Sequence, residues 1–247
     1  MRAASNAMTI VAWNCNMALH KKYEHLLALQ PDVAVIPECA HPDLIAERAP
    51  GFLPSWRDWI GGSNRHKGLA VFTFGSFHGR RSPVYREDFP FIAPIHIEGP
   101  IEFNLLAVWA CHHKPNSFSA GLGPLRRALS AYQGFIKELP TVIAGDFNDN
   151  VKWDRPKRRN NHRTNVSELT ALGLRSAYHH ARAVEQGAEQ EPTLYWRDRK
   201  SNGLCYHVDY CFVPEAWTQS ISVTLGRFDA DILAYEKASR RPWPRRH

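Results

Sequence analysis

The sequence predicts a single α/β domain in which two layers of buried strands are covered by helices. Three observations predict it: a β-α-β opening, apolar strand-like runs that recur to about residue 225, and amphipathic helical segments between them. The chain has 247 residues, a length that sandwiches and barrels often reach without splitting into domains. Apolar residues make up 44% of it, enough for a proper core, and there is no internal repeat or linker.

The β-α-β opening covers residues 9–38. Thr9–Trp13 is short, apolar and β-branched, which predicts a buried strand that ends in a polar loop. A helix with one apolar face follows and ends at Pro31. Val33–Ile36 predicts a second buried strand, closed by Pro37 and Glu38. The short helical connection favours a parallel or mixed sheet with covered faces.

The middle of the chain combines a predicted loop, strands and a helix. Residues 50–68 are rich in Gly, Pro and Trp, which predicts a loop. Glu98–Pro100 is typical of a hairpin turn, and Pro124 begins an amphipathic helix that extends to about Leu139. The predicted strands of this part are Gly68–Phe74, Phe91–Ile97 and Ile101–Cys111.

The last third predicts a strand, a basic loop, a helix and three more strands. Pro140–Ala144 is the first strand and ends at Gly145–Asn148, after which a basic loop covers residues 152–163. Thr164 is the expected N-cap of a helix that ends before Gly173. The remaining predicted strands are Thr193–Trp196, Tyr206–Val213 and Ile221–Leu225.

The positive charge of the chain is concentrated at its end. The formal net charge is +7, but residues 237–247 contribute five Lys and Arg and no acid, which leaves 7 − 5 = +2. The remainder is therefore mildly basic, which permits an anionic partner such as nucleic acid without establishing one. We accordingly predict one domain over residues 8–236 and a basic tail over 237–247, and leave residues 1–7 out of the fold.

The cysteines and the apolar runs indicate a cytoplasmic protein with no membrane partner. The chain has five cysteines and no Cys-x-x-Cys pair, and most lie in apolar strand-like runs, so we expect buried, reduced thiols. A zinc site is not expected without closely spaced ligands. No apolar run reaches the ~18–20 residues of a membrane span, and the first residues lack the apolar core of a signal peptide.

Polar residues recur where the predicted strands end. Apolar strands hold their ends rigidly, so such side chains can converge on one site. Residues i and i+2 of a strand share a face, which predicts that Asp146 lies beside Asn148, and His207 beside Asp209 as an oriented imidazole. The residues concerned are Asn14, Glu38, Asp146, Asn148, His207 and Asp209.

Carboxylates and amides without a soft-ligand cluster favour a hard cation such as Mg²⁺ or Mn²⁺. Glu38 is a suitable ligand, and a second carboxylate would position an attacking water. Each residue taken singly has another interpretation. A strand-end Asn or Asp is usually a turn former, His207 a packed or surface side chain, and Glu38 a solvated strand end.

Four segments, in order, resemble the motifs of the endonuclease/exonuclease/phosphatase family, which includes deoxyribonuclease-I-like and apurinic-endonuclease-like enzymes. The resemblance covers about residues 9–226, and Gly145–Asn148 is its most specific part. It implies a four-layer α/β sandwich with two packed mixed β-sheets flanked by helices. The other three segments are Trp13–Asn16, Pro31–Glu38 and His207–Tyr210.

The resemblance implies Mg²⁺-assisted in-line attack of water on phosphorus. Glu38 would bind the metal and Asn14 would support its shell. Asp146 would orient or deprotonate the water, Asn148 would hold a phosphate oxygen, and Asp209 would hydrogen-bond a late histidine. The candidate catalytic residues are therefore Asp146, Asn148, Asp209 and His207, and the candidate metal-binding residues are Glu38 and Asn14.

Two departures from the family pattern stand out. The family's middle strand supplies a Tyr or His near the phosphate, whereas Leu105–Ala110 has neither, and His112 and His113 nearby remain unassigned. The family ends with Ser-Asp-His or a near variant, and no Asp-His pair follows Leu225. The late histidine is therefore absent from this segment, and Asp209 lacks its expected partner.

Two interpretations account for the end of the chain. Arg241–Pro244 can be encoded so that reading one base later gives Asp-His-Gly-Pro, which indicates a frameshift after about residue 226. The alternative is a native tail that is simply basic. The nucleotides of the gene decide between them, because the first interpretation requires adenine at the third position of the Arg241 and Pro242 codons.

We expect a metal-dependent phosphodiesterase, most of all a nuclease with DNA as its partner, whose activity is impaired by the missing Asp-His motif. The basic loop at 152–163, with Trp153 for base stacking, favours nucleic acid. One alternative is a phosphomonoesterase of a small or lipid phosphate, since the same metal site serves both reactions. The other is a non-catalytic nucleic-acid-binding protein on the same fold. The oligomeric state stays open.

Overall fold

The computed structural model describes residues 7–111, 123–156, 159–195 and 204–226. Two mixed β-sheets pack face to face across an apolar core, and helices cover their outer faces. The predicted four-layer α/β sandwich is therefore confirmed. In the described part of the chain, no helix combines the length and the apolar character needed to cross a lipid bilayer.

The first sheet has four strands in the order β1-β2-β4-β3. Strands β1 and β2 are parallel, as the predicted β-α-β opening requires, and the other pairs are antiparallel. Helix α1 (Leu19–Ala28) connects the parallel pair. The strands are β1 (Ile10–Ala12), β2 (Val33–Cys39), β3 (Trp56–Gly61) and β4 (Gly68–Thr73).

The loop predicted at residues 50–68 was wrong in part, because β3 lies within it and pairs with β4 along its whole length. The Gly and Trp residues that are typical of a loop are complementary parts of this sheet edge. A Cβ added to Gly68 would lie 2.5 Å from the Trp59 ring, and one added to Gly79 would lie 2.5 Å from Trp56. The glycines thus leave room for the indoles of strand β3.

The second sheet has six strands: β5 (His78–Arg81), β6 (Ile92–Glu98), β7 (Phe103–Trp109), β8 (Thr141–Asp146), β9 (Leu174–Ser176) and β12 (Asp209–Pro214). Their order is β5-β6-β7-β8-β12-β9, and only β7 and β8 are parallel. The hairpin predicted around Gly99 is confirmed by the antiparallel β6–β7 pair. A separate two-stranded ribbon pairs β10 (Leu194–Tyr195) with β11 (Cys205–Tyr206).

The helices lie on both outer faces. On the first sheet, α1 and α2 (Pro42–Arg48) bury Leu19, Leu26 and Ile45. The second sheet is covered by α3 (Pro124–Ala131), α4 (Gln133–Glu138) and α5 (His162–Ala171), and α6 (Ala177–Arg182) follows β9.

Two helix predictions need correction. The single helix expected from Pro124 is broken at Tyr132, whose buried ring packs on Phe89 and whose hydroxyl accepts from the Arg86 amide at 3.0 Å. Helix α5 begins two residues before the expected N-cap Thr164. The carboxylate of Asp154 accepts from the amides of residues 162 and 163, so a residue distant along the chain replaces the local cap.

Strand β7 lies at the centre of the packing between the two sheets. All seven of its side chains are buried, because it lies in the middle of the second sheet between the first sheet and the helices. Strand β12 ends at Pro214, and a 3₁₀ helix (Glu215–Ser220) follows it. The strand predicted at 221–225 was wrong: this segment pairs with no strand, although Ile221 and Val223 pack against the core.

Candidate active site

The site lies where strands of both sheets end. Asp146 is the last residue of β8 and Asp209 the first of β12, and the two are direct antiparallel partners. From the first sheet, the loop after β1 brings Asn14 to them: its Nδ2 donates to Oδ2 of Asp146 at 3.0 Å. Residues 132 positions apart along the chain thus meet across the sandwich.

Asp146 is held by hydrogen bonds on both carboxylate oxygens. Its Oδ1 accepts from the backbone amide of Asn148 at 2.8 Å, which closes a turn directly after β8. Asn148 has a φ of 48°, in the left-handed region that Asn tolerates. The predicted pairing of Asp146 with Asn148 therefore occurs through a turn, not through the alternation of a continuing strand.

The pKa of Asp146 is raised to about 6. Burial is the main cause, because only 4% of the residue is exposed. Hydrogen bonds from Asn14 and Asn148 oppose the shift, and the negative charge of Glu38 adds to it. The effect of Glu38 on this pKa shows that the two carboxylates interact electrostatically.

A bulge at the end of β2 aims the side chain of Glu38. The register between β2 and β4 shifts between Ile36 and Cys39, and Glu38 has a φ of 53°. Its carboxylate is partly exposed and forms an ion pair with Lys67, with Oε2 3.2 Å from Nζ. Backbone strain at this residue is typical of positions whose side chain is directed for function.

Asp209 lies behind Asp146, and burial raises its pKa well above the usual range. The charge of Asp146 raises it further, whereas the hydroxyl of Thr193 lowers it. Thr193 also accepts from the backbone amides of Val208 and Asp209, at 3.0 Å each. Within the described residues, Oδ1 of Asp209 has no hydrogen-bond partner. A buried carboxylate oxygen needs a donor, such as the imidazole that the resemblance implies.

The strand alternation that was expected to pair His207 with Asp209 is absent at His207. Residues 207–208 lie between β11 and β12, outside either strand, so the alternation does not apply. Its Nδ1 donates to the carbonyl of Glu191 at 2.9 Å, and its ring packs 4.4 Å from that of Tyr178. Burial lowers the pKa of His207, which favours the neutral form. These contacts are those of a packed histidine.

A buried polar network supports the segment that carries Thr193. Nε2 of His179 lies 3.0 Å from Oε1 of Glu189, and Nδ1 lies 2.7 Å from the Ser176 hydroxyl. The backbone amide of Gly187 donates to the same Glu189 oxygen at 2.8 Å. The network therefore ties residues 187–189 to the end of β9, a few residues before Thr193.

We expect Glu189→Gln to destabilise the protein by about 2–4 kcal/mol at pH 7. Burial raises the pKa of Glu189, but the hydrogen bonds from His179 and the backbone outweigh it, and the pKa falls to about 2. A depressed carboxyl pKa stabilises the fold above the unfolded value of 4.5, and this contribution is lost as the pH falls towards about 2. Urea unfolding at pH 7 and pH 3.5 measures the difference.

The exposed Glu185 in the same segment offers the control. Glu185→Gln should leave the free energy of unfolding unchanged at both pH values. A loss for Glu189→Gln that is equal at pH 7 and pH 3.5 would contradict the assignment, because it would not depend on the ionised carboxylate.

Three residues beside the site were missed by the sequence analysis. Lys67 pairs with Glu38 and its Nζ lies 5.2 Å from the centroid of the Trp109 ring. Trp109, at the end of β7, is the direct partner of Asp146, and Thr193 supports Asp209. The sequence offered one signal for Lys67, because a cationic residue that directly precedes a fully buried strand lies at a fixed strand end. His112, His113 and the tail at 227–247 lie outside the described residues.

The donor atoms fit a hard cation. Glu38 and Asp146 offer carboxylate oxygens whose charges influence each other. Asn14 is already engaged at both ends of its amide: its Nδ2 donates to Asp146, and its Oδ1 accepts from the Asn16 amide at 3.0 Å. No group of three or more His, Cys, Asp or Glu among the described residues could enclose a metal. Mg²⁺ keeps several waters and needs only one or two protein carboxylates, so the residues present suit it.

Structures of known proteins share this architecture. The 3′ phosphatase NExo from Neisseria, solved with a product DNA hairpin, has a TM-score of 0.64 at 16% identity and covers 96% of this chain and 95% of its own. The endonuclease domain of TRAS1, a telomere-specific non-LTR retrotransposon, has a TM-score of 0.59 at 16% identity and covers 88% and 90%. An endonuclease/exonuclease/phosphatase from Beutenbergia cavernae DSM 12333 has a TM-score of 0.52 at 13% identity and covers 83% and 64%.

No curated protein matches the chain in sequence. At these identities the structural neighbours show the fold alone. The sequence model of the Endonuclease/Exonuclease/phosphatase family, in contrast, matches residues 11–240, which include all six candidate site residues. The chain therefore belongs to the endonuclease/exonuclease/phosphatase family of phosphoester hydrolases.

Proposed function

We propose that the protein is a Mg²⁺-dependent phosphodiesterase that cleaves DNA. The observation that carries the proposal is the buried carboxylate of Asp146, held by Asn14 and Asn148 within the field of Glu38. A fixed carboxylate beside a second, partly exposed one suits a reaction in which water attacks a phosphate next to a bound cation.

Each side chain then has a defined role. Glu38 holds Mg²⁺, which supplies positive charge to the phosphate when bound. Asp146 positions the water and takes its proton as the water oxygen bonds to phosphorus, while the ester P–O bond breaks and the leaving oxygen keeps the bonding electron pair and takes a proton from solvent. Asn14 keeps the carboxylate of Asp146 in place, and Asn148 is assigned to a phosphate oxygen.

Asp209 is assigned to orient a late histidine. Its buried oxygen without a described partner supports this assignment, since an imidazole N–H would satisfy it. Because residues 226–247 as given contain no Asp-His pair, we propose that this sequence turns over more slowly than one that carries the motif. A frame-restored protein that carries the Asp-His motif should then be the more active form.

DNA is the favoured substrate because of the surface next to Asn148. The 3₁₀ turn Val151–Trp153 begins three residues later; exposed Lys152 lies on it, and exposed Arg155 lies two residues past its end. The Trp153 and Tyr206 rings meet edge to face at 4.6 Å. Cations interleaved with aromatic rings are typical of surfaces that bind single-stranded nucleic acid.

A phosphomonoesterase is the second candidate. The likeness to a 3′ phosphatase favours it, and the candidate metal site serves monoesters and diesters alike. The two reactions are separated by substrate: plasmid and abasic-site duplexes report diester cleavage, whereas a 3′-phosphorylated oligonucleotide reports monoester cleavage.

The decisive experiment compares the chain as given with the frame-restored protein on these substrates, in Mg²⁺ and in EDTA. Diester cleavage that EDTA abolishes supports the proposal, and release of inorganic phosphate alone supports the second candidate. If DNA binds and neither protein cleaves anything, the chain is a nucleic-acid-binding protein on a hydrolase fold.

Glu38→Gln tests the metal assignment. We expect it to weaken Mn²⁺ binding by about tenfold or more, because a neutral amide replaces an ionised ligand. Cleavage should fall in parallel. Mn²⁺ titration followed by electron paramagnetic resonance measures the affinity directly. Glu47→Gln, at an exposed position on the nearby helix α2, is the control. If Glu38→Gln and wild type bind Mn²⁺ equally well, Glu38 is not the ligand.

A further inference from the structure

Lys67 places a positive charge inside the candidate active site. Its Nζ lies 3.2 Å from Oε2 of Glu38 and 5.2 Å from the centroid of the Trp109 ring. The lysine side chain is 38% exposed and that of Glu38 is 21% exposed, so the pair lies at the mouth of the site. The ammonium group is therefore both anchored and open to solvent.

The backbone of Lys67 is held in place on both sides. Its amide donates to the carbonyl of Asn64 at 3.2 Å, which closes the turn between β3 and β4. The next residue, Gly68, begins β4 and pairs with Cys39, directly after Glu38. The side chain of Lys67 thus starts from a rigid point beside the metal-binding carboxylate, and only its flexible end can change partners.

The half-buried thiol of Cys111 shows which charges share this space. Burial raises its pKa to about 12, the charge of Lys67 lowers it, and the charges of Asp146 and Glu38 raise it. One cation and two carboxylates therefore act on this thiol at the end of β7. Of the two carboxylates, Glu38 is the one that forms an ion pair with Lys67.

A divalent cation at Glu38 would compete with Lys67 for the same carboxylate and would repel the ammonium. The phosphate of the substrate is the anion that the proposed function brings to this place, so it is the alternative partner of the ammonium. We propose that Lys67 is a substrate-binding residue that holds Glu38 in the metal-free protein and contacts a phosphate oxygen once metal is bound. This inference rests on the proposed function of the site.

The first test is metal binding without DNA. In Lys67→Met the competing cation is gone, so Mn²⁺ should bind about threefold to tenfold more tightly than to wild type. Lys67→Arg keeps the positive charge, so its Mn²⁺ affinity should stay near that of wild type. The control is Lys137→Met, an exposed lysine on helix α4, which precedes the opposite end of strand β8. Unchanged Mn²⁺ affinity in Lys67→Met would overturn the proposal.

The second test is DNA binding in an Asp146→Asn background, which slows cleavage. With Mn²⁺ present, Lys67→Met should weaken binding of a short duplex by about tenfold, because a charge-assisted contact to phosphate is lost. In EDTA the same substitution should have almost no effect, since Lys67 is then paired with Glu38. An equal loss in both buffers would assign Lys67 to general electrostatic attraction and overturn the metal-dependent contact.

The two failures can be told apart. If wild type and Glu38→Gln bind Mn²⁺ equally, the proposed function itself has failed at the metal site. If wild type binds Mn²⁺ through Glu38 but Lys67→Met changes neither metal nor DNA affinity, only the role of Lys67 is refuted. Circular dichroism of Lys67→Met checks that the β3–β4 hairpin still folds, and Lys67→Arg should restore DNA binding in Mn²⁺.

Discussion

Asp146→Asn is expected to lower kcat by about a thousandfold or more, whichever phosphoester the enzyme hydrolyses. The asparagine amide cannot accept a proton from water, so the proposed base is lost while the shape of the side chain is kept. KM should change little in comparison, because Asp146 is assigned to the attacking water and not to the phosphate. Single-turnover cleavage by the frame-restored protein in Mg²⁺ measures the effect.

The folded state should tolerate this substitution. Burial and the nearby Glu38 raise the pKa of Asp146, which means that the ionised carboxylate is costly in the metal-free protein. Asp146→Asn removes that charge but can accept only one of the two hydrogen bonds from Asn14 and Asn148, so its melting temperature at pH 8 should stay close to that of wild type. Asp88→Asn, at an exposed aspartate, is the control for both measurements. Cleavage by Asp146→Asn within tenfold of wild type would refute the role of Asp146.

Gly145→Ala is expected to destabilise the fold by about 4 kcal/mol or more and to reduce the yield of folded protein. Gly145 has a φ of 136°, which L side chains rarely adopt, and an added Cβ would overlap the carbonyl oxygen of Val108 on the parallel strand β7. Backbone atoms on both sides hold this contact, so it cannot relax as a flexible side chain would.

A second glycine distinguishes the backbone strain of a positive φ from the steric overlap of an added Cβ. Gly173 has a φ of 79°, but a Cβ added there meets nothing within 4 Å. Gly173→Ala should therefore cost only about 1 kcal/mol, the conformational penalty alone. Urea unfolding of both variants gives the comparison. Equal free energies of unfolding for the two would show that the close approach of β7 and β8 is not what requires glycine at position 145.

The Gly145–Asn148 segment shows how far local patterns extend. An apolar run that ends in Gly-Asp-Phe-Asn indicated a strand end and a candidate reactive carboxylate, and the structure ends β8 at Asp146 and holds this carboxylate with the Asn148 amide. Its glycine has a non-local cause, the carbonyl of Val108, and the left-handed conformation of Asn148 turns the chain back onto Asp146. The pattern located the site, and strand packing explains why these residue types are needed.

The errors arise where a partner lies far along the chain. The edge strand β3 was mistaken for a loop because its Trp residues are explained only by Gly68 on the paired strand β4 and by Gly79 on β5 of the second sheet. His207 was expected to share a strand face with Asp209, but it lies between β11 and β12, outside either strand, and its ring packs on Tyr178. Such contacts have no signature in residue spacing.

The sequence by itself determined the class of fold, the buried strands that carry Glu38 and Asp146, the strand that precedes Asn14, and the family, since side-chain periodicity and strand-end polarity are local properties. Only the tertiary structure decided that Asn14, after β1 of the first sheet, donates to Asp146 of the second and that Lys67 forms an ion pair with Glu38. The physical reason is that these interactions depend on strand pairing, on a bulge and on sheet packing. Each of these joins residues that are separated by tens of positions in the chain.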